Sequence, residues 1–288
     1  MFTKEWSQEE LDFLKNNYLK MSNKEISQNI NRTNKAIQVK LSKMGLKRPD
    51  KYYYNKHFFQ DINTEEKAYW LGFMYADGYV CCSKTNAEVA IELSAIDIDH
   101  LRKFNKSLGG NISPTIRKER KKCLKTTYGI ASFRIYSKEM AQDLIAHGCI
   151  QRKTFYIKFP KFENKFLTWS FIRGFFDGDG SVYRDTKRKF IGFNFTSASK
   201  DFLKELQKFL YEEGIYAYLS QEKREKSNLN ITAPTYKIFI TGLNNAYEFG
   251  KKLYSEANIF LDRKKIKYDE AIKEYNVEER TRNRPYRR

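Results

Sequence analysis

Long apolar runs are missing from this chain. No stretch of eighteen such residues occurs, so the minimum for a membrane-spanning helix is not met. The first residues, MFTKEWSQEE, lack the apolar stretch of a signal peptide, and the expectation is a soluble cytoplasmic protein without membrane contact. Histidine is scarce, at three residues, and the four cysteines (Cys81, Cys82, Cys123, Cys149) show no Cys-x-x-Cys spacing. Neither a zinc site nor a disulfide framework is expected, and a reducing compartment fits. Acid is in deficit: 35 Asp and Glu stand against 54 Lys and Arg, a net charge of +19. What is present is apolar (41%) and aromatic (16%), enough to exclude a disordered chain. The 288 residues suffice for one large core or two to three small ones. The basic excess points to polyanions, because each phosphate neutralised releases condensed counterions.

Residues 1–48 read as three short helices. Ser7 with Glu10 and Ser22 with Glu25 have capping-box spacing, Thr33 is a third N-cap, and Gly45 is a natural stop. The third helix sets Lys35, Gln38, Lys40 and Lys43 against one apolar face, as in helix-turn-helix modules whose last helix enters the major groove. Residues 49–63 form a linker. Asn63 and Glu66 then have the spacing of a capping box opening the next helix.

That helix ends in YWLGFMYADGYV (69–80), and FIRGFFDGDGSVY (171–183) repeats its pattern. Period-two strands follow each, AEVAIELSA (87–95) and FIGFNFTSA (190–198), and each strand leads into a further helix. Gly72 to Gly174, Asp77 to Asp179, Glu92 to Asn194 and Leu101 to Leu203 are all 102 apart. Arg152 to Arg263 is 111, so the second copy carries an insertion, expected in the polar loop EKREKSNLNITAPT (222–235). An internal duplication of about a hundred residues implies a pseudo-twofold unit.

Gly72 and Ala76 are four apart, as are Gly174 and Gly178, which stacks small residues on one helix face and lets two backbones approach closely. Gly78 and Gly180 suit a left-handed helix terminus. If the two helices pack in parallel, Asp77 and Asp179 meet. Carboxylates that close repel unless a proton or a divalent cation intervenes, and Mg²⁺ binds through one or two carboxylates plus substrate phosphate. An Asp at a helix C-terminus opposes the macrodipole by about 0.3–1 kcal/mol, so two at equivalent points argue for function.

With these motifs, WLGFMYADG (70–78) and IRGFFDGDG (172–180), the chain resembles the LAGLIDADG homing endonucleases in their single-chain, two-motif form. The resemblance implies an α+β fold. Two pseudo-symmetric αββαββα repeats carry saddle-shaped antiparallel sheets, here behind a small all-α helix-turn-helix domain. It also implies Mg²⁺-dependent cleavage of both strands of a long DNA site, with Mn²⁺ able to substitute. Asp77 and Asp179 match the family's metal-binding acids, and Gly78 and Gly180 beside them complete the candidate metal set. The neighbouring motif position is Asp177 in one copy and Tyr75 in the other. Glu92 and Asn194 are candidates for a water-organising polar residue. Lys153 and Lys264 are candidates for stabilising the phosphate, with Arg134 and Lys237 as alternatives. Arg117 and Lys187, in basic clusters, are candidate DNA contacts.

The expected boundaries are 1–48 helix-turn-helix module, 49–63 linker, 64–158 first repeat, 159–276 second repeat and 277–288 basic tail. Double-stranded DNA is the expected partner and intron RNA a second. A monomer is expected, in a bacterial or phage-infected cell near the nucleoid or with an organellar origin. An RNA maturase and a catalytically silent DNA-binding regulator are the rival functions. The absence of an N-terminal Cys or Ser and of a terminal His-Asn pair argues against an intein.

Overall fold

A computed structural model describes residues 5–48, 51–117, 129–150, 156–222 and 234–282. The chain divides into two compact units, Met1–Tyr53 and Tyr54–Arg288.

In the first unit, helices α1 (Gln8–Asn17), α2 (Asn23–Ile30) and α3 (Asn34–Lys43) bury Leu14, Ile26, Ile37 and Leu41 as a small core. Ser7 and Ser22 form reciprocal capping boxes with Glu10 and Glu25, and the Thr33 hydroxyl accepts from the Ala36 amide. Asn31, at φ 49°, turns the chain between α2 and α3, and Gly45, at φ 69°, ends the last helix.

In the second unit the element order occurs twice. The first copy runs α4 (Glu65–Ala76), β1 (Gly78–Cys82), β2 (Ala87–Ser94), α5 (Ile98–Ser107), β3 (Thr115–Arg117), β4 (Ile130–Ile135), α6 (Lys138–Ala146). The second runs α7 (Lys165–Asp179), β5 (Gly180–Asp185), β6 (Phe190–Ser197), α8 (Lys200–Glu212), β7 (Tyr218–Glu222), β8 (Thr235–Ile240), α9 (Leu243–Tyr254). Helices α10 (Asp262–Glu274) and α11 (Val277–Arg282) follow. Each copy forms a four-stranded antiparallel sheet, in the orders β1-β2-β4-β3 and β5-β6-β8-β7. The fold is thus α+β, with pseudo-symmetric αββαββα repeats. One apolar core runs through both, from Phe58 and Phe59 to Val277, with α4 and α7 at its centre. The inner strand residues Val89, Ile91, Phe193 and Phe195 are buried, while Glu92, Asn194 and Thr196 alternate with them on the outer faces.

Three local expectations are corrected. Thr64, not Asn63, caps α4: its side chain accepts from the Lys67 amide, while Asn63 receives the Lys67 ammonium. The predicted insertion does not lie in the loop near 222–235. Arg117 to Glu222 and Ile130 to Thr235 are both 105 apart, so the links between the paired strands are equally long. Instead α8 has 13 residues where α5 has 10, and α9 has 12 where α6 has 9. The rest lies in the link to α10. The uniform offset of 102 also breaks within the strands. Gly78 pairs with Ile91, but Gly180 pairs with Phe195, and those partners are 104 apart. In register, Glu92 therefore corresponds to Thr196, two residues further along than Asn194. A 3-10 turn at Ala95–Asp97, present only in the first copy, absorbs the difference before the next helix.

Candidate active site at the joined helix ends

Helices α4 and α7 touch backbone to backbone. A Cβ added to Gly72 would lie 2.0 Å from the Phe171 carbonyl oxygen, and one on Gly174 would lie 1.9 Å from that of Tyr69. One on Gly178 would sit 2.3 Å from the Cβ of Ala76. Tyr69 and Phe171 are equivalent residues, 102 apart, so these contacts repeat across the pseudo-twofold axis. Equivalent residues meet in the same order along both helices, so the packing is parallel. The small-residue stripe is this joint.

The joint brings the two helix ends together. Asp77 is the C-cap of α4 and Asp179 the last residue of α7, and both are exposed. A Cβ on Gly178, next to Asp179, would lie 3.4 Å from Asp77 Oδ2. Gly78 and Gly180 are not left-handed. They begin β1 and β5 directly after the helices, and Gly180 has φ −98°. Glycine is required there by space: a Cβ would lie 2.6 Å from the Met74 or the Phe176 carbonyl oxygen.

Lys264 lies beneath this point and is buried. Its ammonium donates to the carbonyls of Phe176 (2.6 Å), Asp177 (2.7 Å), Gly178 (3.4 Å) and Gly180 (2.6 Å). It gathers the carbonyls around the end of α7, of which that of Phe176 also accepts from the Gly180 amide. This corrects the expectation of a lysine presented to substrate, and the Gly180 carbonyl in the candidate metal set is already engaged. Burial lowers the Lys264 pKa to about 8, opposed first by Asp177 and also by Asp77 and Asp179. Lys153 lies outside the described residues.

The motif position that differs between copies is structural. Asp177 is buried, and its Oδ2 accepts from the Tyr69 hydroxyl and the Leu261 amide, both at 2.7 Å. Burial raises its pKa to about 6, against the pull of Lys264, Tyr69, Leu261 and Arg173. Since Tyr69 donates to Asp177, the His100 Nε2, 2.9 Å from that hydroxyl, carries the proton. Burial holds His100 neutral, with its pKa down to about 3. Tyr75 anchors its own copy differently, donating to the His147 carbonyl at 2.5 Å. Near the other end of the joint, buried Arg173 pairs with Glu65 and donates to the carbonyls of Ile259 (2.9 Å) and Leu253 (3.0 Å). The signal for that pair was a single Arg inside FIRGFF. His100 gave none beyond its rarity.

On the outer sheet faces, Glu92 accepts from Arg117 and Arg134. Lys237, across from Thr196, pairs with Glu222 at 2.9 Å. Asn194 is half-buried beside Ser181. Lys187 is exposed in the β5–β6 turn. In the first unit, Lys35, Gln38 and Lys43 are exposed on α3, while Lys40 reaches over the Trp6 ring at 5.7 Å.

Among the described residues no group of three or more His, Cys, Asp or Glu could hold a metal ion. A cation at the joined helix ends would have the two aspartates as its acidic ligands, with backbone, water or substrate oxygens completing the shell. That set suits a hard divalent ion that keeps waters and takes substrate phosphate, and does not suit zinc. No helix among the described residues is long and apolar enough to cross a membrane.

Fold and site together define a protein with two fused α+β repeats, hinged on a helix pair that ends in paired acids. Residues 168–254, most of the second repeat, match the profile of the LAGLIDADG-like domain. No curated protein matches the chain. Among solved structures it is similar to the meganuclease I-SmaMI bound to uncleavable DNA. The identity is 14%, over 74% of this chain and 91% of that one, with a TM-score of 0.47. It is also similar to an I-DmoI variant with its nicked target DNA and manganese (15%, 70% and 98%, TM-score 0.41). A third likeness is to the N-terminal LAGLIDADG domain of DUF199/WhiA (19%, 69% and 89%, TM-score 0.42). Likenesses this loose carry no argument about activity.

Proposed function

We propose that this protein is a DNA endonuclease that hydrolyses one phosphodiester on each strand of a long duplex target with Mg²⁺ or Mn²⁺. The observation that carries this reading is the pair of exposed aspartates at adjoining, equivalent helix ends. A structural role gives no reason to set two carboxylates side by side where each opposes its helix dipole. Two acids at a pseudo-twofold axis also match the two strands of a duplex, and the net charge of +19 favours a polyanion.

A divalent ion, when bound there, would supply activation of water and stabilisation of the leaving oxygen. Asp77 and Asp179 are the carboxylates that would hold that ion. Lys264 orders the end of α7, so that Asp179 is presented in one geometry. The outer sheet faces lie along the DNA, with Arg134, Lys237, Arg117 and Lys187 toward bases and backbone. The three-helix unit adds contacts through Lys35, Gln38, Lys40 and Lys43. With both acids in one chain, a monomer suffices, acting in the compartment that holds its DNA.

The test is cleavage of a randomised duplex library, with Mg²⁺ and with EDTA, by the wild type, Asp77→Asn and Asp179→Asn. Magnesium-dependent breaks with a fixed stagger at one extended site, abolished in either variant while binding survives, are expected. Undiminished cutting by either variant overturns the assignment. Tight binding without cleavage by the wild type would favour the regulator.

A further inference from the structure

The outer face of the first sheet carries a set of arginine–glutamate pairs, where among the described residues the second sheet has Lys237 with Glu222. Glu92 accepts from Arg117 Nη2 at 2.9 and 2.8 Å and from Arg134 Nη2 at 2.6 Å. Arg134 Nη1 donates to Glu88, and its Nε donates to Ser132 Oγ at 3.2 Å. Ser132 Oγ in turn donates to Glu92 at 3.4 Å. Strand pairing builds the set. Ala90 faces Arg134, Glu92 faces Ser132 and Arg117 faces Ile130, which puts both guanidiniums on one side of β2 and β4. The Arg117 side chain is 58% exposed and that of Arg134 40%, so both remain open to a ligand. In the second sheet Thr196 stands where Glu92 does, and Phe239, paired with Asn194, stands where Arg134 does.

Two glutamates on the basic surface of a DNA-binding protein are unfavourable next to phosphates. They are useful if they restrain arginines. A free arginine follows the phosphate backbone, which carries no sequence information. A restrained one keeps its remaining donors aimed at one place and loses less rotamer entropy on binding. The described bonds of Arg117 use Nη2 alone, which leaves the donors of Nε and Nη1 for a base edge. These two N–H groups lie on different edges of the guanidinium, so each meets one acceptor at a time, and guanine, whose N7 and O6 are both acceptors in the major groove, suits such donors best.

We propose that Glu92 is a positioning residue for base readout. With Glu88 it fixes Arg117 and Arg134 so that the half of the target under the first sheet is selected for guanine, and the half under the second sheet is not. The inference rests on the DNA reading above and deepens it.

The experiment is selection of a randomised duplex library by the full-length protein in EDTA, followed by sequencing of the bound pool. Guanine is expected at one or two adjacent positions on one side of the centre. Glu92→Gln is expected to lower that preference about tenfold while total binding holds or tightens, because a negative charge leaves the face. Glu92→Asp recovers part of the preference, and Arg134→Lys loses it. A purely structural role would instead weaken every position alike, which overturns the inference. So does a bound pool without guanine preference, or Glu92→Gln that keeps the preference and loses only magnesium-dependent cleavage. If no duplex is retained at all, the DNA reading falls and this inference with it.

Discussion

Moving one methyl group across the joint tests the central geometry directly. The Ala76 Cβ lies 2.3 Å from where a Gly178 Cβ would be, whereas methyl carbons in contact sit at about 3.5–4 Å. Gly178→Ala therefore forces the helix ends apart by roughly 1.5 Å or rotates them. Overpacking of this kind costs about 1–3 kcal/mol, partly offset by the better helix propensity of alanine, worth about 1 kcal/mol. Ala76→Gly alone loses about that propensity. In the double variant the methyl sits on α7 instead of α4. Its next neighbour, the Asp77 amide nitrogen, is 3.4 Å away, so it fits. The single changes need not be large, but their coupling should reach about 1–3 kcal/mol in favour of the double variant. Urea or thermal unfolding of the four proteins measures it. Cleavage provides a second reading, since a displacement near 1 Å at a reacting centre can lower a rate about a hundredfold. It should fall in Gly178→Ala and recover in the double variant. Additivity within about 0.5 kcal/mol, with no recovery of cutting, would refute the close-packed joint.

Three further outcomes are expected. Lys264→Met removes the ammonium shared by four carbonyls around the end of α7, of which that of Phe176 keeps the Gly180 amide, and should lower stability by about 3 kcal/mol; a variant that unfolds like wild type but does not cut would show that Lys264 acts in the chemistry instead. His100 titrates near 6.5 when unfolded and at about 3 when folded, so the unfolded chain takes up the proton first as pH falls. The stability it leaves intact above pH 6.5 is lost toward pH 3, by roughly 4–5 kcal/mol over the full span. Asp177, raised from 3.8 to about 6, acts in the opposite sense: its contribution is present at low pH and lost as pH rises through 6. His100→Gln should therefore flatten the acid limb of the stability profile, and an unchanged limb would contradict the buried neutral imidazole. Deleting residues 1–48 should shorten the footprint and leave Mg²⁺-dependent cutting in place; complete loss of cutting at saturating protein would make that unit part of the catalytic assembly.

The elements legible in the sequence were those set by local chemistry. Ser7, Ser22 and Thr33 fixed three helix starts, because a hydroxyl within reach of its own amides needs no tertiary help. The paired small residues predicted the joint, because a single geometry demands them. What remained hidden depended on partners distant in the chain. Nothing local to Lys264 in the sequence tells a substrate-facing cation from one that the end of α7 covers. The match of Glu92 to Asn194 followed from a constant offset, but a lengthened hairpin and a lost 3-10 turn cancel to give the same number. Gly78 and Gly180 serve room beside Met74 and Phe176 rather than a left-handed backbone, a cause that only the packed structure distinguishes.

The two copies agree where backbone meets backbone and differ wherever a side chain makes the bond. Gly72 against Phe171 and Gly174 against Tyr69 are the same contact twice, since a gap this narrow admits one solution. The polar locks on that joint are not the same twice. Asp177 with Tyr69 and Arg173 with Glu65 both cross the joint from α7 to α4, whereas Tyr75 bonds the His147 carbonyl within its own copy. A symmetric joint bound by asymmetric locks specifies pairing within the chain, since a second copy of either repeat could supply only one half of each lock. Once the pairing is fixed in this way, the outer sheet faces are free to diverge, as Glu92 and Thr196 have. On the DNA reading proposed above, the duplication keeps the two acids in equivalent positions while allowing the two halves of a target to differ.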